Sequence, residues 1–214
     1  MTDAQPNEPT AERAPIPPRF DVAFPLAGGP VPLDHGYALF GALSRALGNE
    51  LHGAPWLAVH PLTGLPRTNQ TLTLRPGAPA LRLRVDGDHI ARCVELAGGT
   101  LHLAGAELLV GTSRVSPLRP CRALAARMVT IKGFLEPEPF REALRRQLDA
   151  LSVPARIEIG RRRTLRVAGD TIVGFQVSLH DLDERGSLAL QYSGLGGRQR
   201  MGCGVFTPIG RETS

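Results

Sequence analysis

The order of elements in this 214-residue chain predicts an α+β protein of two tandem ferredoxin-like (RRM-like) βαββαβ domains. Three observations predict it. Strand-period and helix-period segments follow one another in the order β-α-β-β-α-β, with an extra hairpin in the first half, and the order is read twice. A stretch at 112–122 with Pro117, Pro120 and three arginines separates the two readings. A glycine-rich segment followed by a short apolar strand closes the second. The predicted divisions are a disordered tail over 1–18, a first domain over 19–114 and a second over 122–214.

Each element has its own signal. Residues 1–18 are rich in Pro, Ala, Thr and Glu, too polar to bury a core. Residues 20–26 alternate apolar and polar and read as the first strand. Asp34 is placed as N-cap of a helix that runs to Leu47 and stops at Gly48-Asn49. In that helix Leu39 and Leu43 share a face, as do Tyr37, Phe40, Ser44 and Leu47, and Tyr37 reads as core. Strands follow at 56–61, 71–74 and 80–85, the last strictly alternating. A short helix over 88–96 puts Ile90, Cys93 and Val94 inward, and 101–103 pairs with 107–110 around Gly105.

In the second half 124–131 is a strand. Residues 138–151 form a helix with Phe140, Leu144, Leu148 and Leu151 on one stripe. Residues 155–159 and 164–167 are predicted to form a hairpin turning at Gly160, Arg161, Arg162 and Arg163. A strand over 172–179, a helix capped by Asp183 and reaching Tyr192, and a strand over 205–209 complete the order.

Composition narrows the function. The formal charge is +5, and Lys132 is the only lysine, so the other basic residues are all arginine. A basic balance favours an acidic partner such as nucleic acid, although a GC-rich genome would also skew lysine to arginine. No apolar run reaches the ~18 residues of a membrane span, and no secretory signal is visible. Cys93, Cys121 and Cys203 are scattered without CxxC spacing, and the six histidines show no HExxH spacing. The expectation is a cytoplasmic protein without disulfides, metal or cofactor.

The densest chemical signal lies between Gly194 and Pro208. Gly194, Gly196, Gly197, Gly202 and Gly204 fall within eleven residues, with Arg198 and Arg200 among them. Glycines let a backbone turn with φ > 0 and approach a partner closely. Free N–H groups in such a loop suit an anion, and arginine forks match phosphate oxygens. The segment reads as a cradle for a phosphate backbone. It lacks the Gly-Lys-Ser/Thr ending of a P-loop, and a strand follows it where a P-loop has a helix. The plainer reading is a glycine-rich hairpin with solvated arginines.

Over residues 20–209 the chain resembles the CRISPR-associated repeat-processing endoribonucleases, the sixth Cas family of the repeat-associated RNA-binding superfamily. The closing glycine loop is similar to that family's G-rich loop. Asp34-His-Gly-Tyr-Ala-Leu-Phe-Gly-Ala-Leu-Ser-Arg45, with Leu51-His52 after it, is similar to the family's first helix and catalytic-histidine segment. Leu96-Ala-Gly98, Val129-Thr-Ile-Lys-Gly133 and Gly202-Cys-Gly-Val-Phe206 add to the likeness, which is strongest to the subgroup of the myxan-type systems. The resemblance implies two ferredoxin-like domains and binding of CRISPR repeat RNA (pre-crRNA). It implies one metal-free cut that leaves a 2′,3′-cyclic phosphate and a 5′-hydroxyl.

It also implies that His52 carries the proton transfer, with His35 as the rival in the first helical turn. Some family members pair the histidine with a tyrosine of the first helix, and Ser44 stands at that position here. Lys132 is a candidate for charge neutralisation at the cut. The RNA-binding candidates are Gly194, Gly196, Gly197, Arg198, Arg200, Gly202 and Gly204, the predicted basic turn Arg161, Arg162 and Arg163, and Arg145 on the second-domain helix. A solvated turn and a solvated helix face are the plain alternatives for the last two groups. Two other functions stay open: a non-catalytic RNA-binding subunit of a CRISPR effector complex, and a ferredoxin-like module unrelated to RNA. Further effector subunits are candidate partners, and both a monomer and a homodimer fit.

Overall fold

A computed structural model describes residues 18–66 and 70–209. The predicted tail lies outside the described residues except for Pro18. The first half contains β1 (Arg19–Gly28), β2 (Val31–Pro32), α1 (Gly36–Leu47), β3 (Leu57–Val59), β4 (Leu65–Pro66) and β5 (Thr71–Thr73). It continues with β6 (Pro79–Asp86), α2 (Ile90–Val94), β7 (Thr100–Leu103), β8 (Ala106–Val110) and β9 (Arg114–Pro117). The second half contains β10 (Leu124–Val129), α3 (Pro137–Ala150), β11 (Arg156–Val167), β12 (Asp170–His180), α4 (Glu184–Ser193) and β13 (Thr207–Pro208).

The two main sheets share one topology. The first has the order β3-β6-β1-β8-β7, with β9 added beside β1. The second has the order β11-β12-β10-β13. Strands β3, β6, β1 and β8 match β11, β12, β10 and β13, which is the ferredoxin-like order in each half, and neighbours pair antiparallel. Strands β2, β5 and β4 form a small sheet of their own.

Period-2 patterning drives the first core. Val22, Phe24 and Leu26 of β1 and Leu81, Leu83 and Val85 of β6 lie in one apolar cluster with Leu39, Leu43 and Leu47 of α1. The second cluster gathers Phe140, Leu144 and Leu148 of α3 with Val177, Leu179 and Phe206, and the Phe140 and Phe175 rings sit 4.8 Å apart. Asp183 caps α4 as expected, accepting a hydrogen bond from the Gly186 N–H at 2.6 Å.

Four local expectations are corrected. Arg161, Arg162 and Arg163 are not a turn: they lie inside the continuous strand β11, and Gly160 packs against Gln176 where the register shifts. The hairpin turns at Ala168-Gly169, with φ of 51° and 94°. Both central residues are left-handed, as a two-residue type I′ turn requires. Ala104-Gly105, with φ of 49° and 86°, makes the same turn between β7 and β8. The expected linker contains a strand, since Arg114–Pro117 pairs with β1. Asp34 does not cap α1; the capping position is His35, and the Asp34 carboxylate accepts the Arg166 backbone N–H at 2.9 Å. Tyr37 is exposed, because the buried stripe of α1 runs through Leu39, Phe40, Leu43, Ser44 and Leu47.

The back of the first sheet meets the second half. Arg84 of β6 is 1% exposed and stands directly opposite Asp21 of β1. Its guanidinium donates to both Asp21 oxygens, at 2.8 and 3.2 Å. Its Nη1 donates to the carbonyls of Gln191 and Phe206, at 2.8 and 2.9 Å. One buried side chain thus joins the two halves. Arg19 repeats the device, donating to Asp86, to the Pro55 carbonyl and to the Tyr192 carbonyl, with its guanidinium over the Tyr192 ring. Arg127 donates to the Leu33 carbonyl at 3.1 Å.

His60 lies beside this cluster, its Nε2 3.5 Å from Asp21 Oδ1. Burial drives its pKa down to about 4, against the pull of Asp21. Burial raises the Asp21 carboxyl, but hydrogen bonds and charge from His60 and Arg84 outweigh it and hold the group well below the usual carboxylate range. Between pH 6.5 and about 4 the unfolded chain therefore binds the His60 proton and the folded chain does not. Stability falls as pH drops through that window, and the Asp21 contribution is lost at still lower pH. Denaturant titrations from pH 7 to 4 should show this slope, and His60→Asn should flatten it; equal slopes would remove His60 as its source. Arg84→Met should cost about 3–5 kcal/mol in the same assay at pH 7, because it leaves a buried carboxylate without its partner.

Candidate active site

The glycine segment runs from the end of α4 and is laced to the end of β10. The Gly204 N–H donates to the Met128 carbonyl at 2.7 Å and the Gly197 N–H to the Thr130 carbonyl at 2.9 Å. Gly196 donates to Gln147 Oε1 of α3 at 2.8 Å, and the Thr130 hydroxyl returns a bond to the Gly197 carbonyl at 3.2 Å. Gly194 and Gly202 donate to the carbonyls of Leu190 and Gln199. Every glycine N–H of the loop is therefore taken within the protein. This corrects the expected cradle of free N–H groups, because the glycines serve close packing. Gly196 and Gly204 sit at φ of 71° and 67°, and a Cβ would run into the carbonyl oxygens of Thr130 and Leu195 respectively. Gly197 has open space where a Cβ would be.

The lacing leaves the loop arginines to differ in role. Arg198 has a left-handed backbone, φ 62°, and is exposed; among the described residues its guanidinium has no hydrogen-bond or ion-pair partner. Arg200 is half-buried and reaches into the first half, donating to the Ala54 carbonyl at 3.1 Å and lying 6.0 Å from the Phe40 ring centroid. Residues Gly196 to Arg200 line one side of a cleft whose other side includes Arg19, Ala54 and Pro55.

His52 precedes Ala54 of that cleft by two residues. After α1, a short 3₁₀ turn over Asn49–Gly53 buries Leu51 and leaves His52 exposed. Its Nδ1 lies 3.0 Å from the Asn49 carbonyl, which can only accept, so Nδ1 carries a proton and Nε2 faces away from that bond. The imidazole packs edge-on against Phe40, with centroids 5.0 Å apart. Phe40 is thus shared by His52 of the first half and Arg200 of the second.

The other candidates fall elsewhere. His35 is 2% exposed; its Nδ1–H donates to the Pro32 carbonyl at 2.9 Å and its Nε2 accepts the Leu62 N–H at 2.8 Å. Burial lowers its pKa, so it is a neutral packing residue with both nitrogens committed. Ser44 is 4% exposed and faces the core, and among the described residues its Oγ has no hydrogen-bond partner, so it is no open partner for the histidine. Lys132 is exposed in the turn after β10, two residues from the Thr130 that anchors the loop. Arg145 is exposed on α3, and Arg161 is exposed on β11.

Arg162 and Arg163 line a second cleft, of about 320 Å³, with Arg127, Asp34 and His35. Burial and the nearby Arg163 charge lower the Arg127 pKa, which marks a concentration of positive charge there. The sequence reading missed Arg84, Asp21, Arg19 and Arg127. A signal existed for the first pair: a lone aspartate in an apolar strand and an arginine in a strictly alternating one.

The fold and the site together define the class: two ferredoxin-like units in one chain, the second carrying a glycine loop whose Arg200 shares the Phe40 ring with an exposed histidine of the first. A family model described as Cas6 Crispr matches residues 20–211. The CRISPR-associated endonuclease Cas6 of Myxococcus xanthus is 42% identical over 191 residues, covering 89% of this chain and 82% of that protein. Among solved structures, a CRISPR associated protein Cas6 superposes with a TM-score of 0.65 at 14% identity, over 90% of this chain and 99% of its own. A Cas6-related protein from Pyrococcus furiosus gives 0.61 at 13% identity, over 92% and 100%. The CRISPR endoribonuclease Cse3 bound to a 19 nt RNA gives 0.52 at 14% identity, over 88% and 96%. The chain belongs to the Cas6 family.

The lacing predicts an asymmetry between adjacent glycines. Gly196→Ala should destabilise the fold by roughly 1–3 kcal/mol or more, from backbone strain plus the clash with Thr130. Gly197→Ala should unfold at the wild-type midpoint within about 0.5 kcal/mol. Denaturant melts of the two variants check this, and equal midpoints would mean the loop tolerates displacement.

Proposed function

We propose that this chain is an endoribonuclease that cleaves CRISPR repeat RNA by attack of a 2′-hydroxyl on the adjacent phosphate. The 2′-oxygen bonds to phosphorus and the bond to the 5′-oxygen breaks, leaving a 2′,3′-cyclic phosphate and a 5′-hydroxyl. His52 takes the 2′-hydroxyl proton on Nε2, and the leaving 5′-oxygen takes up a proton from water. Arg198, exposed and unpaired in the loop, and Lys132 offset the negative charge that builds on the phosphorane. The observation that carries this reading is the meeting of His52 and Arg200 on Phe40. It puts a proton carrier of the first unit on the same ring as an arginine of the second unit's loop, within a family that includes a named endonuclease.

Ser44 takes no part in this scheme, and His35 supports the packing under α1. Arg162, Arg163 and Arg127 give the RNA backbone further positive charge to follow. Nothing in the proposed steps calls for a metal ion: histidine supplies the proton transfer and the cations are side chains.

The test is single-turnover cleavage of repeat RNA. His52→Ala should slow it by ~10²-fold or more, with RNA affinity little changed, and remove the limb of the pH–rate profile that histidine ionisation creates. His35→Asn, which keeps a donor for Pro32, should cut at close to the wild-type rate. Cleavage should survive EDTA, and a 2′-deoxy nucleotide at the cut should block it without loss of binding. Wild-type cleavage by His52→Ala, or loss of cleavage in EDTA with recovery on adding a divalent ion, would overturn the reading. Arg198→Ala should lower affinity and reduce the slope of log K against log salt by about one counterion. An unchanged slope would mean that Arg198 makes no phosphate contact.

A further inference from the structure

Two arginines stand two residues apart in the glycine loop, and their surroundings differ. Arg198 points its charge into solvent. Arg200 spends its guanidinium on protein: the Nη1 bond to the Ala54 carbonyl and the face of Phe40. Those contacts bracket His52 on both sides. Ala54 is the residue that ends the 3₁₀ turn, two positions after His52. Phe40 lies in α1 before that turn, and its ring carries the imidazole. We propose that Arg200 is a positioning residue for His52, not a phosphate ligand, a step that rests on the reading of His52 as the proton carrier.

His52 has few restraints of its own, because its turn is five residues long and its ring is fixed by one hydrogen bond to Asn49 and one aromatic edge. A group that must meet a 2′-hydroxyl needs better definition, since a misplacement of about 1 Å costs ~10²-fold in rate. Arg200 provides it from outside the turn. The planar guanidinium bonds the carbonyl of Ala54, the residue that ends the turn, while lying over the ring that seats the imidazole. Lysine, a point charge without a plane, does not reproduce that pair of contacts.

The far side of the strut is rigid as well. Arg200 belongs to a short 3₁₀ turn over Gln199–Met201, held by the Met201 N–H to the Arg198 carbonyl and by Gln199 Nε2 to the Ser193 carbonyl. Beyond it the first turn of α1 packs on the same segment, where a Cβ on Gly36 would strike the Met201 carbonyl oxygen. The loop thus touches both ends of the α1–His52 unit. Arg200 carries the contact at the catalytic end.

The experiment compares Arg200→Ala, Arg200→Lys, Phe40→Leu and Arg198→Ala in the full chain. Three readouts are taken: cleavage rate at saturating repeat RNA, salt slope of RNA binding, and the His52 ring resonances of the RNA-free protein by NMR, assigned with His52→Ala. Arg200→Ala should slow cleavage about 10-fold or more, leave the salt slope unchanged and move the His52 resonances. Arg200→Lys should also move them and recover only part of the rate, and Phe40→Leu should move them too. Arg198→Ala should lower the salt slope and leave the resonances in place. Arg200→Ala with unmoved resonances and a slope reduced by about one counterion would make Arg200 a phosphate ligand and overturn the proposal. If Arg200→Ala does not fold, a wild-type rate with unmoved resonances in Arg200→Lys overturns it equally. Should His52→Ala itself cleave normally, the proton-carrier reading fails, and the resonance shifts still report whether Arg200 holds that turn.

Discussion

The buried pair of Arg84 and Asp21 is the constraint on which the two-unit architecture rests. A guanidinium that is 1% exposed has lost its water and must find other oxygens to bond. Two come from Asp21 across the sheet, and two are carbonyls of the second half, from Gln191 and Phe206. The two carbonyls sit at either end of the glycine segment, one in α4 and one just before β13. The pair therefore sets where the loop begins and ends relative to the first sheet. Everything proposed for the site depends on that placement, because His52 and the loop lie on different units.

Arginine is suited to this work in a way that lysine is not. Its fork spans several acceptors at fixed angles, and its plane stacks on rings. Arg84, Arg19, Arg127 and Arg200 each donate from one unit to a backbone carbonyl of the other. The basic composition of the chain thus has two destinations. One set of arginines is spent inside as braces between the units. Another, including Arg198, Arg161 and Arg145, remains exposed at the surface.

Much of the fold was legible because it depends on local rules. Alternation marked β1 and β6, the stripe of Phe140, Leu144 and Leu148 marked α3, and Asp183 marked the start of α4. What escaped depends on contacts distant in sequence. Gly160 and three arginines look like a turn, yet the long partner strand β12 keeps them in β11 and moves the turn to Ala168-Gly169. Asp34 looks like a cap until β11 offers it the Arg166 N–H. Single residues were harder still. The exposure of His52 follows from Leu51 beside it being buried, and the neutrality of His35 follows from two neighbours that only the tertiary structure supplies. In the loop, glycine spacing announced tight backbone geometry correctly. It could not say that the N–H groups would be used up against β10.

The depth of the Arg84 cluster separates two kinds of electrostatics in one molecule. Mobile ions screen exposed charges over about a Debye length, ~8–10 Å in ordinary buffers, and reach buried pairs much less. Arg198 and its exposed companions belong to the first kind, Arg84 with Asp21 to the second. Concentrated salt that strips a polyanion from the outer arginines leaves the inner brace between the units in place. Brine that screens the outer arginines would therefore leave the two units joined.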